Sequence, residues 1–129
     1  MNPEEVIQLL HHTPLMINGK PFEPHPNGAQ RYVQYMRRFD GGIHYEVFRG
    51  GGDYVYVRLD DERPNVGDED KLRSSLITRA QECGFDVCGR INLMIHRSSV
   101  DCRNRQFDDI KSEVEKRMQE LYNAFEPIL

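Results

Sequence analysis

The sequence predicts an α+β domain of two layers: a mainly antiparallel sheet, helices on one of its faces, and a long C-terminal helix. Three observations lead there. Residues 43–49 and 53–60 alternate apolar and polar side chains around Gly50-Gly51-Gly52, the pattern of a hairpin buried on one side. Phe107, Ile110, Val114, Met118, Leu121 and Phe125 recur at steps of three and four, the stripe of an amphipathic helix. The expected order (helix, hairpin, helix, two strands, helix, strand, helix) supplies helices to cover the one apolar sheet face. At 129 residues and 15.1 kDa the chain reads as one domain, 1–129, able to bury a core without metal or disulfide staples.

Asn2 can cap a first helix, with Pro3 in its first turn and Glu4 and Glu5 at its positive end. Val6, Ile7, Leu9 and Leu10 form its stripe, and Pro14 stops it near His12. Asn18-Gly19 between apolar residues signals a tight hairpin, and Pro21 confines its second arm to an edge. Residues 24–28 read as a loop. Ala29, Tyr32, Val33, Met36 and Phe39 fall at helical spacing, which predicts a helix over 29–39, with Arg31, Gln34, Arg37 and Arg38 on its wet side and Gly41-Gly42 at its end. In the long hairpin, pairing Arg49 with Asp53 sets Val47 opposite Val55, Tyr45 opposite Val57 and Ile43 opposite Leu59. A third helix is expected at 69–83, with Leu72, Leu76, Ile77, Ala80 and Cys83 inward and Gly84-Phe85 at its end. Residues 87–96 read as one strand, 98–105 as a polar connection, and 105–125 as the last helix, closed by Pro127.

The second face of this sheet gathers His44, Glu46, Phe48, Tyr54, Tyr56, Arg58, Arg90, Asn92 and His96. On the expected register Phe48 lies with Tyr54, Glu46 with Tyr56 and His44 with Arg58. Aromatic rings beside arginines recur on protein-binding surfaces and on sheets that stack single-stranded nucleic acid. Cross-strand aromatic pairs also stabilise a sheet with no ligand at all, by about 0.2–1 kcal/mol each. The N-terminal helix and hairpin are the elements that could cover the face.

His44, Glu46 and His96 are the one acid–base or metal trio on that face, the composition a small metal-dependent enzyme would use. Their spacing matches no H-E-x-x-H, so no catalytic, metal or cofactor residue is assigned. His11-His12 end a helix, and His25 lies between prolines in a loop. The run 60–70 holds six of the 21 acidic residues but lacks the alternation of an EF-hand, and reads as a solvated loop. Glu69-Asp70-Lys71 has the form of a nuclease E-x-K yet opens a helix instead of lying on a strand. The triple glycine precedes a strand, not a helix, so it is not a phosphate loop.

The net charge of −4 and pI of 5.7 argue against a generally basic nucleic-acid binder. The 13 arginines against 4 lysines run the other way, since Arg is the residue of bidentate and stacked recognition. A nucleic-acid reading needs the arginines at 31, 37, 38, 58, 90, 97, 103 and 105 to gather on one side. No apolar run approaches the roughly 18 residues of a membrane span, so no membrane partner is expected. The acidic start does not read as a secretory leader. Cys83, Cys88 and Cys102 are odd in number and lack C-x-x-C spacing, which predicts free thiols in a reducing cytoplasm.

Gly42-x-His44 opening a hairpin, a helix running into Gly84-Phe85, Arg90-Ile91 in the next strand, and a final helix ending Phe125-x-Pro127 complete the motif set. With these, residues 42–129 resemble an uncharacterised bacterial domain often appended to nuclease-like proteins. The resemblance implies an accessory module with no catalytic residue to carry over. The expectation is therefore a non-enzymatic module that binds a protein partner or itself, through the aromatic–arginine face or the striped last helix. A nucleic-acid accessory domain is the alternative, and a small metal-dependent enzyme on His44, Glu46 and His96 the third reading. No cofactor is expected.

Overall fold

The structure, a computed structural model, describes residues 1–38, 42–89 and 92–129, leaving out the side chains of 37 and 38. The fold is α+β. Helix α1, Pro3–Leu10, starts on a complete capping box: the Asn2 side chain accepts from the Glu5 N–H at 2.9 Å, and the Glu5 carboxylate accepts from the Asn2 N–H at 3.3 Å. Strands β1, Leu15–Ile17, and β2, Lys20–Phe22, form the small hairpin around Asn18-Gly19, both at positive φ. Five further strands make the main sheet: β3, Tyr32–Arg38; β4, Ile43–Arg49; β5, Tyr54–Asp61; β6, Asp86–Cys88; and β7, Leu93–Asp101. All neighbours are antiparallel, in the order β3-β4-β5-β7-β6. Helix α2, Lys71–Cys83, is capped by Asp70, and α3, Phe107–Phe125, runs into a short 3-10 turn, Glu126–Ile128.

One face of the sheet is mostly apolar and buried. Val33, Tyr35, Tyr45, Val47, Val55, Val57, Leu59 and Ile95 are buried there, in one cluster with Val6, Ile7 and Leu10 of α1 and Ile110, Val114, Met118, Leu121 and Phe125 of α3. Each such aliphatic or aromatic side chain contributes about 1.5–3 kcal/mol by leaving water. Helix α1 lies against β3 and β4, α3 against β5 and β7, and the β1–β2 hairpin against α3. The N-terminal elements are thus spent on the core side, and no described helix lies over the second face.

The structure corrects four expectations. Of the helix predicted over 29–39, residues 32–38 form strand β3, and Phe39 lies outside the described residues. Tyr32 and Gln34 alternate with Val33 and Tyr35 as regularly as the residues matched a helix, and pairing with β4 decides between the two periods. Met36 sits at φ 46°, where the β3–β4 register shifts, a conformation no helix interior holds. The expected stop at Gly41 lies outside the described residues.

The long hairpin is offset by two residues: Arg49 faces Val55 and not Asp53, Val47 faces Val57, and Tyr45 faces Leu59. A two-residue slip leaves every side chain on its own face, so alternation alone could not detect it. The longer turn packs its backbone on the Tyr56 ring, and a Cβ at Gly50 would run into that ring.

The single strand expected at 87–96 is two strands, β6 and β7, joined at Gly89, whose φ is 94°. A side chain there would collide with the Asn92 carbonyl. Strand β7 then continues to Asp101, through most of the expected polar connection. Finally, Asp60 and Asp61 are not loop residues: both are buried at the end of β5.

Candidate functional site

The corrected registers lay the second face out in rows. Tyr32, Phe48, Tyr56 and Ser99 stand abreast across β3, β4, β5 and β7. The next row is Gln34, Glu46, Arg58, His96 and Asp86, and the third pairs His44 with Asp60 and Met94. The rings of the first row are half-buried; His44, Glu46 and Asp60 at the β4–β5 centre are fully buried, with Arg58 half-buried over them.

Phe48 and Tyr56 stack with ring centroids 5.1 Å apart, and the Arg58 guanidinium lies 3.7 Å from the Phe48 centroid. Arg58 thereby roofs the polar row. Its Nε donates to Glu46 Oε2 at 2.6 Å and lies 2.9 Å from Asp60 Oδ1, while Nη1 reaches the Met94 sulfur at 3.0 Å. Beneath it, His44 Nε2 is 3.5 Å from Asp60 Oδ2, 3.9 Å from Glu46 Oε1 and 3.3 Å from the Gln34 amide nitrogen. His44 Nδ1 and Asp60 Oδ1 are buried without a hydrogen-bond partner.

The electrostatics follow from this arrangement. Burial alone would lower the His44 pKa, but the carboxylates of Asp60 and Glu46 outweigh it and raise it to about 9. Burial raises the Asp60 carboxyl to about 7, against the pull of His44 and Arg58. Glu46 is held below its ordinary value: burial works against ionisation there, and the His44, Asp60 and Arg58 contacts prevail.

The site thus differs from the expected trio. His44 and Glu46 do meet, but their third partner is Asp60 and not His96. His96 stands edge-on to Tyr56, ring centroids 6.4 Å apart, with its Nδ1 buried and unpaired. Tyr56, not Tyr54, faces Phe48; Tyr54 faces Asp101 and donates no ring to the row, its hydroxyl accepting from Arg103 Nη2 at 3.2 Å. Arg58 faces Glu46 instead of His44. Asn92 is exposed in the turn before β7, and Arg90 lies outside the described residues. Asp60, Gln34 and Tyr32 are the residues that sequence reasoning missed. The signal for Asp60 was present: His44-x-Glu46 and Arg58-x-Asp60 each put two charged groups on one strand face.

The adjacent carboxylate, Asp61, points to the other side. It accepts from Arg63 Nε and Nη2 at 2.9 Å each, from the Arg63 N–H at 3.2 Å and from Arg73 Nε at 3.4 Å. All three cysteines are free, and Cys102 is buried. No described helix is long and apolar enough to cross a membrane. No family model matches the chain, and comparison with curated proteins and with solved structures finds no significant match.

Proposed function

We propose that the chain is a non-enzymatic protein-interaction module that associates with a second copy of itself through the sheet face that no described helix covers. The observation that carries this reading is the row Tyr32, Phe48 and Tyr56: three rings abreast, half-buried, with no described helix above them. Five strands about 4.8 Å apart and about seven residues long offer on the order of 500 Å² of planar surface. A standard interface takes about 800 Å² from each partner, so the association is weak and reversible. Charge favours a like partner. Arg58 is neutralised by Glu46 and Asp60, which leaves an aromatic surface without a strong field for an oppositely charged partner to match.

The arginines weigh against the nucleic-acid alternative. Arg58, Arg97, Arg103 and Arg105 each hold a carboxylate of this chain, and so are not free to neutralise phosphates. An accessory role, as the resemblance of residues 42–129 implies, is compatible with a small docking module. The test is light scattering over rising concentration. The wild type should shift toward dimer at high micromolar concentration, and Phe48→Ala with Tyr56→Ala should stay monomeric with unchanged circular dichroism. A strictly monomeric wild type overturns self-association, and salt-dependent oligonucleotide binding at low ionic strength would move the reading to nucleic acid.

A further inference from the structure

We propose that His44, Glu46 and Asp60 form a closed site for one divalent transition-metal ion of the zinc class. The site lies beneath the docking face and does not depend on it. The three residues are 0 %, 2 % and 1 % exposed. A ligand atom from each falls within 4.8 Å of the other two.

The carboxylates are split in function. Glu46 Oε2 and Asp60 Oδ1 turn toward Arg58, while Glu46 Oε1 and Asp60 Oδ2 turn toward His44 Nε2. The two inward separations are 3.9 and 3.5 Å. Charge-assisted N–H···O bonds run about 2.7–2.9 Å, so a proton on His44 bridges neither gap well. Donors about 2.0–2.2 Å from a zinc ion at tetrahedral angles sit roughly 3.3–3.6 Å apart. The shorter gap matches this, and the longer one closes with a small side-chain adjustment.

An independent observation also asks for a cation. Arg58 has one Nε–H, and it goes to Glu46 at 2.6 Å. Asp60 Oδ1, 2.9 Å from the same nitrogen, is left buried with no hydrogen bond. A buried carboxylate short of donors is costly, and an ion on its Oδ2 side would offset part of that cost by neutralising its charge. One imidazole and two carboxylates suit Zn²⁺ or Mn²⁺; Mg²⁺ and Ca²⁺ prefer all-oxygen shells. Burial of all three ligand residues makes the role structural. The Gln34 amide nitrogen lies 3.3 Å from His44 Nε2, and Arg58 fixes the outer oxygens as a supporting partner.

The experiment is calorimetric titration of metal-free protein with Zn²⁺, Mn²⁺ and Mg²⁺, with elemental analysis after dialysis. The expected result is one Zn²⁺ per chain, weaker Mn²⁺, no Mg²⁺, and a rise in Tm on zinc addition. Asp60→Asn and His44→Gln should each weaken zinc binding at least about tenfold, and a Cys83→Ser, Cys88→Ser variant should bind as the wild type does. Asp60→Asn is close to isosteric and removes a buried charge, so its fold, followed by circular dichroism, is retained if His44→Gln is not. Absence of zinc binding by the wild type, or equal binding by folded Asp60→Asn, overturns the proposal.

Discussion

Asp60 and Asp61 are consecutive, chemically identical and equally buried at 1 % exposure, yet their carboxyls shift in opposite directions. Burial pushes both up. At Asp61 the Arg63 fork, the Arg63 N–H and Arg73 overcome it and hold the carboxyl below its ordinary value. At Asp60 the nearby guanidinium, Arg58 Nε at 2.9 Å, directs its Nε–H to Glu46, and the carboxyl rises to about 7. The strand turns one side chain to each face of the sheet, so adjacent residues live in different circumstances. Donor count, not depth, separates a structural carboxylate from a candidate site. On its side, Asp61 ties the end of β5 to the start of α2, because Arg63 also holds Asp70, the residue that caps that helix.

Substituting the two in turn gives the largest test of that comparison. Asp61→Asn removes the carboxylate that pairs with Arg63 and with Arg73, itself 7 % exposed. Breaking a buried ion pair from one side costs about 3–5 kcal/mol. Asp60→Asn in metal-free protein removes a carboxylate that lacked donors, so its cost should stay within about 1 kcal/mol and can be negative. Urea unfolding at pH 7 measures both. Equal losses would show that depth alone matters, and the contrast would be gone.

A smaller effect is written in the pH dependence. The folded-state pKa of His44 is raised from 6.5 to about 9, so the folded chain holds that proton more tightly than the unfolded one. Its contribution is complete below pH 6.5 and is lost as pH rises through 9. Asp60, raised from 3.8 to about 7, acts in the same sense over the lower window: its contribution is lost as pH climbs from 3.8 to 7. Asp61 has the opposite sign, stabilising above 3.8 and failing as pH falls through its lowered value. Metal-free protein should therefore lose on the order of 2–3 kcal/mol of unfolding free energy between pH 6.5 and 9. His44→Gln should flatten that limb and Asp60→Asn the one below pH 7. A wild type that grows more stable toward pH 9 would contradict the arrangement around His44.

The sequence read most clearly where one period was unambiguous. Helix α3, the Asn2 cap, the Asn18-Gly19 turn and the Gly84 end of α2 all follow from local chemistry and stand as expected. Strand β3 did not, because Tyr32, Val33 and Met36 satisfy period 3.6 while Tyr32 to Tyr35 satisfy period two, and only a partner strand chooses. The site was half legible for a related reason. Face membership depends on parity, so His44, Glu46, Phe48, Tyr56 and Arg58 were placed on the correct side. Who meets whom depends on register, and a two-residue offset exchanged the partners of all five. That offset brought Asp60 opposite His44 and made a buried polar cluster out of what read as a solvated acidic loop.

The smallest predicted effect concerns the aromatic row and sharpens the same contrast between satisfied interior and available surface. Tyr56 is half-buried, and its ring rests on Phe48 and on the Gly50 backbone. Loss of an aromatic pair is worth about 0.5–1.5 kcal/mol, so Tyr56→Ala should lower monomer stability by about that much in urea titrations at low protein concentration. Arg58 keeps its carboxylate partners and its place over Phe48, so the buried cluster should be little disturbed, and the His44 titration seen by NMR should move only slightly. A large shift of His44 would mean that the row and the cluster form one unit, with the aromatic ring serving as a lid for the polar centre. An unchanged His44 would separate them: the rings would act at the surface without governing the cluster beneath.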